Sequence, residues 1–216
     1  MSTNNHRFTQ ILDLTPSCKP LYNRALAELE DMVVVPTLGS IVPNWLLFVP
    51  TWPSLNYRNW NTNTGRDPLL SMELFCEQFG HDFEKAIWFE HGAASSGSPI
   101  GCGVDYAHLH LLIDSQIDFS EFANAAHSLS GVEWRPLANQ PSPYDDLPFE
   151  EDYYVFGQGR SAFVGNNNRS LGSQFFRRVV ARLVKRDAEW DYKSYPFSAN
   201  IAATCNNFGK AIKDAA

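Results

Sequence analysis

Apolar positions recur at helical spacing in two stretches of the chain. After Asp67 as an N-cap and Pro68 at the first helical position, Leu69, Leu70, Met72, Phe75, Cys76, Phe79 and Phe83 predict an amphipathic helix reaching about Glu84. After Ser170 as a cap, Leu171, Phe175, Val179 and Leu183 repeat every four residues and predict another. Further helices are expected over Phe119–Leu129 and Ser198–Ile212. The segment from Leu26 to Val35 reads as two short extended pieces hinged near Asp31, with a helix through Ala25–Met32 as the competing reading. Trp45–Val49 closed by Pro50, Ala86–Phe89 and Val104–Ile113 read as strands, and Tyr153–Gly157 with Ser161–Val164 as a hairpin. Three polar stretches separate these elements: Thr51–Arg66, a Gly/Ser/Ala-rich run over Glu90–Gly103, and a loop carrying Pro136, Pro141, Pro143 and Pro148. The first eight or so residues read as disordered. Strands and helices alternate without a regular βαβ rhythm, which predicts an α+β fold with a mainly antiparallel sheet flanked by helices.

Composition narrows the class. The 216 residues are 44% apolar, enough for a core of useful size, and carry a formal net charge of −7. General nucleic-acid binding is therefore not expected, whereas a small basic pocket for one phosphorylated ligand is compatible with that charge. No apolar run approaches the roughly 20 residues of a membrane span, and the polar start carries no signal-peptide pattern. Cys18, Cys76, Cys102 and Cys205 form no CxxC pair, a usage that suits a reducing cytoplasm.

Candidate chemistry concentrates between Phe89 and Ile113. On a strand Tyr106, His108 and His110 share one face, while Ala107, Leu109 and Leu111 supply the core from the other. The preceding run contains Gly92, Gly97, Gly101 and Gly103 with Ser95, Ser96 and Ser98, a composition that lets backbone amides approach a phosphate. Imidazoles beside an anion cradle point to attack on phosphorus, since histidine titrates near pH ~6.5 and serves as nucleophile or base.

The order Gly101-x-x-Val104-x-Tyr106-x-His108-x-His110-Leu-Leu resembles the histidine-triad (HIT) signature. Met32-Val-Val-Val-Pro-Thr-Leu-Gly-Ser-Ile-Val-Pro-Asn-Trp-Leu-Leu-Phe-Val-Pro50 is similar to that family's strand-loop-strand, and the pair Glu90-His-Gly and Asp105-Tyr-Ala-His-Leu-His110 looks like a bacterial HIT-like branch. The resemblance spans roughly residues 26 to 113. It implies a HIT-like core over 1–128, with residues 129–216 as a C-terminal α/β extension packed on it. It also implies a nucleotide hydrolase or nucleotidyl transferase working through a nucleotidyl-histidine intermediate. His108 falls on the nucleophile, His110 on the histidine that contacts the phosphoryl oxygens, and Tyr106 on the first histidine of the triad. The sequence departs from the pattern there, at Cys102 in place of a phosphate-contacting Gln, and at Asn44-Trp45 in place of Gly-His. A nucleotide-binding or regulatory protein that has lost catalysis is the alternative.

Glu90, His91, Ser98, Gly101, Cys102 and Gly103 are the expected substrate-side residues of this segment, with His91 able to protonate a leaving group, bind phosphate or bond to its own loop. Gln174 and Arg177 in the Ser-Gln-Phe-Phe-Arg-Arg segment could reach a phosphate from a helix start, or belong to a solvated basic face with Arg178, Arg182, Lys185 and Arg186. His81 and His127 read as surface residues. A zinc reading of His108 and His110, with Cys102 or His91, lacks further ligands at convincing spacing, so no metal or cofactor is expected. The expected partner is a nucleotide-like small molecule; homodimerisation, common in the family, is not written in these residues.

Overall fold

The computed structural model describes residues 5–13, 19–100, 105–138, 142–148, 150–165 and 171–209. Along them run α1 (Asn5–Leu12), β1 (Ala27–Glu28), β2 (Met32–Pro36), β3 (Trp45–Pro50), α2 (Tyr57–Thr64), α3 (Pro68–Gln78), β4 (Ile87–Gly92) and β5 (Leu109–Leu112). They are followed by α4 (Phe119–Ser130), β6 (Trp134–Pro136), β7 (Tyr153–Gln158), β8 (Ser161–Gly165), α5 (Phe175–Leu183) and α6 (Ser198–Phe208). The strands form one open sheet in the order β1-β2-β3-β5-β4-β7-β8-β6, every neighbouring pair antiparallel. The fold is therefore α+β. Residues beyond 129 contribute three strands to this same sheet, with β7 pairing β4 along its length from Ile87↔Gln158 to Gly92↔Tyr153.

The two faces of the sheet are packed differently. On the first, Met32, Val34, Leu46, Phe48, Trp88, Leu109, Leu111, Tyr153 and Val155 join Tyr57 and Trp60 of α2 and Leu69, Met72 and Phe75 of α3 in one continuous core. On the second, the apolar residues form two separate groups. Val33, Val35, Leu47 and Val49 lie under Phe8 and Ile11 of α1, while Ile87, Phe89, Tyr154 and Phe156 lie under Phe122, Phe175, Phe176 and Val179 of α4 and α5. Between the two groups the second face carries histidines.

Several elements differ from the sequence reading, each for a local reason. The N-terminal residues are helical from Asn5, because Phe8 and Ile11, three apart, fill the apolar ground over β2 and β3. The expected loop at 51–66 contains α2. Asn56 caps it by accepting the Asn59 amide, Gly65 closes it at φ +68°, and Tyr57 and Trp60 are buried, so packing and capping override a poor helix-forming composition. The helix starting at Pro68 stops at Gln78, ahead of Gly80 at φ +73°, and Phe83 belongs to a short 3-10 turn capped by Asp82. Trp134–Pro136 in the proline-rich stretch pairs with β8 as an edge strand, a position that tolerates proline. The hinged extended reading of 26–35 matches β1 and β2. Ser170 and residues 210–212 lie outside the described residues, and α5 begins only at Phe175. No helix among the described residues is long and apolar enough to cross a membrane.

Candidate functional site

β5 is shorter than the alternating pattern suggests. The Ala107 amide donates to the Ser54 carbonyl at 2.6 Å, so the ladder starts at Leu109. Alternation nevertheless survives across that boundary: Ala107, Leu109 and Leu111 enter the first-face core, and His108 and His110 stand on the second face at 9% and 8% exposure. Their rings are 5.5 Å apart and nearly perpendicular at 82°.

Fixed neighbours set the two imidazoles in opposite protonation patterns. His108 Nδ1 lies 2.9 Å from the Tyr106 carbonyl oxygen, which only accepts, so Nδ1 carries the hydrogen and Nε2 keeps its lone pair. His110 Nδ1 lies 3.1 Å from Trp45 Nε1, which only donates, so the lone pair is on Nδ1 and the hydrogen on Nε2. Thr37 Oγ1, at 3.4 Å, flanks the same nitrogen. The pair thus combines a nucleophilic nitrogen with a hydrogen-bond donor. Trp45 was visible in the sequence only as a departure from a family pattern. Its part depends on the pairing of β3 with β5 in the register Leu47↔His110, which brings a residue two positions away on the same face beside the ring.

Burial keeps these imidazoles neutral. It lowers His108 to about 4, opposed by the Tyr106 carbonyl and assisted by Arg7; it holds His110 well below 6.5, assisted by His108, His91, Arg177 and Arg7. His91, on β4, is lowered to about 3 by burial, then by His108 and Arg178. The fixed charges acting on the three rings are therefore all arginines, a local positive field in a chain of net charge −7.

The other expected site residues divide sharply. His91 lies on the same face, where its charge interacts with those of His108 and His110: it is 6% exposed, touches Phe176 at 5.0 Å and Tyr154 at 5.3 Å, and neither ring nitrogen has a hydrogen-bond partner among the described residues. The Tyr106 side chain does not join them. Lying ahead of β5, its hydroxyl donates to the Pro50 carbonyl at 3.0 Å and its ring stacks on Phe8 at 5.2 Å, so the residue orients His108 through its backbone carbonyl. Glu90 points to the opposite face. Its carboxylate accepts the Tyr57 amide at 2.8 Å and the Tyr153 hydroxyl at 2.8 Å, anchoring the start of α2. Gly92 is required by this arrangement, because a Cβ there would collide with the Tyr153 ring.

In the described part of the Gly/Ser run, protein carboxylates already occupy the groups expected to cradle phosphate. Asp152 accepts the Ala94 amide at 2.9 Å and the Ser98 hydroxyl at 2.8 Å, while Asp105 accepts the Gly97 amide at 2.8 Å and the Ser96 hydroxyl. Gly101, Cys102 and Gly103 lie outside the described residues. Arg177 serves as a brace. It donates to the carbonyls of Trp190 at 2.9 Å, Leu38 at 3.2 Å and Gly39, and its guanidinium lies 5.0 Å from the Trp45 ring. Gln174 lies with Arg178 and Trp190 in a surface cleft of about 320 Å³. The solvated-face alternative fails for Arg177, which is 6% exposed. Among the described residues no set of three His, Cys, Asp or Glu side chains is arranged to hold a metal ion.

Phe8 was not expected at the site. Its ring is 5.5 Å from His108, so α1 closes one side of the histidine row. A comparison with known protein families and with curated sequences finds no match for this chain.

Proposed function

We propose that the chain is a HIT-like nucleotide hydrolase or nucleotidyl transferase that acts at the phosphorus of a nucleoside phosphate derivative. The observation that carries this reading is the opposite tautomers of adjacent buried imidazoles, fixed at His108 by the Tyr106 carbonyl and at His110 by the Trp45 indole. His108 Nε2 gives its lone pair to phosphorus, and the leaving group departs with the electrons of its own bond. His110 Nε2–H donates to a phosphoryl oxygen whose negative charge grows in the transition state. Water or a second acceptor then displaces the nucleotidyl group from the nitrogen, restoring the lone pair. Arg7, Arg177 and Arg178 favour the anionic substrate from a distance.

The test is to incubate the chain with adenylated and guanylated compounds labelled at the α-phosphorus. The expected result is mononucleotide release and an acid-labile label on the protein, both abolished in His108→Ala. Release that persists in His108→Ala would overturn the mechanism. A binding protein without turnover is favoured by one observation, the absence of the Tyr106 side chain from the row. It predicts calorimetric binding of the same compounds with neither release nor label.

A further inference from the structure

Tyr106 takes the triad's first sequence position, yet a third imidazole reaches the row from the neighbouring strand. β4 and β5 are paired in the register Ile87↔Leu112, Trp88↔Leu111, Phe89↔His110. The ladder ends at that pair; followed two positions further, the same antiparallel register would run Glu90 toward Leu109 and His91 toward His108. The charge of His108 acts on His91, and the charges of both act on His110. Phe89 and His91 project to the same side as His110. The Phe89 ring stacks on His110 at 4.9 Å, and Phe176 of α5 covers both Phe89, at 4.8 Å, and His91, at 5.0 Å.

His91 also differs from every other histidine of the row in being left without a partner. His108 and His110 each have Nδ1 fixed by the protein, whereas both nitrogens of His91 are buried and unbonded among the described residues. An imidazole that only filled space would be replaced at lower cost by an apolar ring, because a buried polar group without a hydrogen bond is destabilising. Its two free nitrogens suit a group that holds a proton at one stage of a reaction and accepts it at another.

We propose that His91 completes the site as its proton-transfer residue, serving the leaving atom and then the water; the assignment rests on the function proposed above. Substrate binds with His91 protonated, the cation matched to the phosphate anion. As His108 Nε2 bonds to phosphorus, the bond to the leaving atom breaks; that atom keeps the electron pair and takes the His91 proton. Neutral His91 then accepts a proton from water as the water oxygen bonds to phosphorus and the bond to His108 Nε2 breaks. Free His108 and protonated His91 result. The anion supplies the charge that reverses the influence of burial, of His108 and of Arg178, which otherwise hold His91 neutral.

The experiment compares the 216-residue chain with His91→Gln on two substrates for each of AMP and GMP: the p-nitrophenyl ester, whose leaving group needs no proton, so that His91 sheds its own to solvent before the water step, and an alkyl phosphoramidate, whose amine needs one. With the ester, the variant should release about one nitrophenolate per chain in a burst, then turn over at least about 100-fold more slowly than wild type, while the acid-labile adduct on His108 accumulates. With the phosphoramidate there should be no burst, and turnover should fall by at least about 100-fold. Equal effects on both substrates without accumulation of adduct would overturn the assignment, as would unchanged turnover. If His91→Gln does not fold, His91→Leu carries the same comparison. A wild-type chain that forms no adduct with any substrate overturns the proposed function, and this assignment with it; wild-type adduct with an unaffected variant overturns the assignment alone.

Discussion

Glu90 and His91 are consecutive on β4, both buried, and face opposite sides of the sheet. Glu90 enters the continuous core of the first face and meets two donors, the Tyr57 amide and the Tyr153 hydroxyl. His91 lies on the second face against Tyr154 and Phe176 and meets none among the described residues. Both have perturbed acidity from the same primary cause, burial, which lifts Glu90 to about 7 and lowers His91 to about 3. Perturbation alone therefore does not identify a site. Hydrogen bonding separates the two residues: the Glu90 oxygens are bonded by the fold and anchor α2, whereas both His91 nitrogens lack a partner among the described residues.

Opposite stability effects on substitution are the most direct way to break this contrast. Glu90→Leu leaves a buried amide and a buried hydroxyl without an acceptor, at about 1–3 kcal/mol each, and should lower stability to urea by about 3 kcal/mol in total. His91→Leu removes two unbonded nitrogens and should raise stability by about 1 kcal/mol. A loss on His91→Leu comparable to that on Glu90→Leu would make His91 a packing residue and erase the distinction.

Acidity sharpens the same contrast with a smaller effect per residue. Between its unfolded value near 4.5 and about 7, Glu90 holds a proton in the folded state that the unfolded chain has released, so its contribution to stability falls as pH rises. The three site histidines behave in the reverse sense. Below 6.5 the unfolded chain protonates them while the folded state keeps them neutral down to about 4 for His108 and about 3 for His91, so stability falls as pH drops. Three histidines outweigh one carboxylate, and stability should rise with pH between 5 and 6.5 by about 2.5 kcal/mol per unit. The lowered carboxyls of Asp105 and Asp118 act below this window. His91→Leu should cut the slope by about 1.4 kcal/mol per pH unit, and Glu90→Gln should steepen it by the same amount. Urea unfolding at pH 5, 5.5, 6 and 6.5 measures both; an unchanged slope in either variant would show that residue's acidity to be unperturbed.

Much of the sheet was legible because strand positions announce themselves by β-branched and alternating residues. The hairpin at 153–164 and the two strands around Pro36 and Pro50 needed no tertiary knowledge. α1 and α2 were not legible, since Asn5–Leu12 and Tyr57–Thr64 are weak helices in isolation and are held by what Phe8, Ile11, Tyr57 and Trp60 bury. The site was half legible. Parity along one strand placed His108 with His110, but it could not show that Tyr106 precedes the ladder, where its side chain is free to turn to Pro50. Nor could it join Trp45 and His91 to the row, because that requires the registers of β3 and β4 against β5. The same parity, applied to Glu90 and His91, already separates the two residues that the composition of the run had grouped together.

The weakest expected effect tests whether Tyr106 belongs with the anchored residues or with the row. Its hydroxyl donates to the Pro50 carbonyl while its own carbonyl fixes His108 Nδ1. Tyr106→Phe removes the first contact and keeps both the second and the ring stacked on Phe8. Stability should fall by about 1 kcal/mol, the net value of one hydrogen bond. Turnover and adduct formation on His108 should stay within about twofold of wild type, because neither the tautomer of His108 nor its Nε2 lone pair depends on that hydroxyl. A loss of turnover near tenfold, about 1.4 kcal/mol in the barrier, would place the phenol in the chemistry and move Tyr106 to the side of the comparison now held by His91.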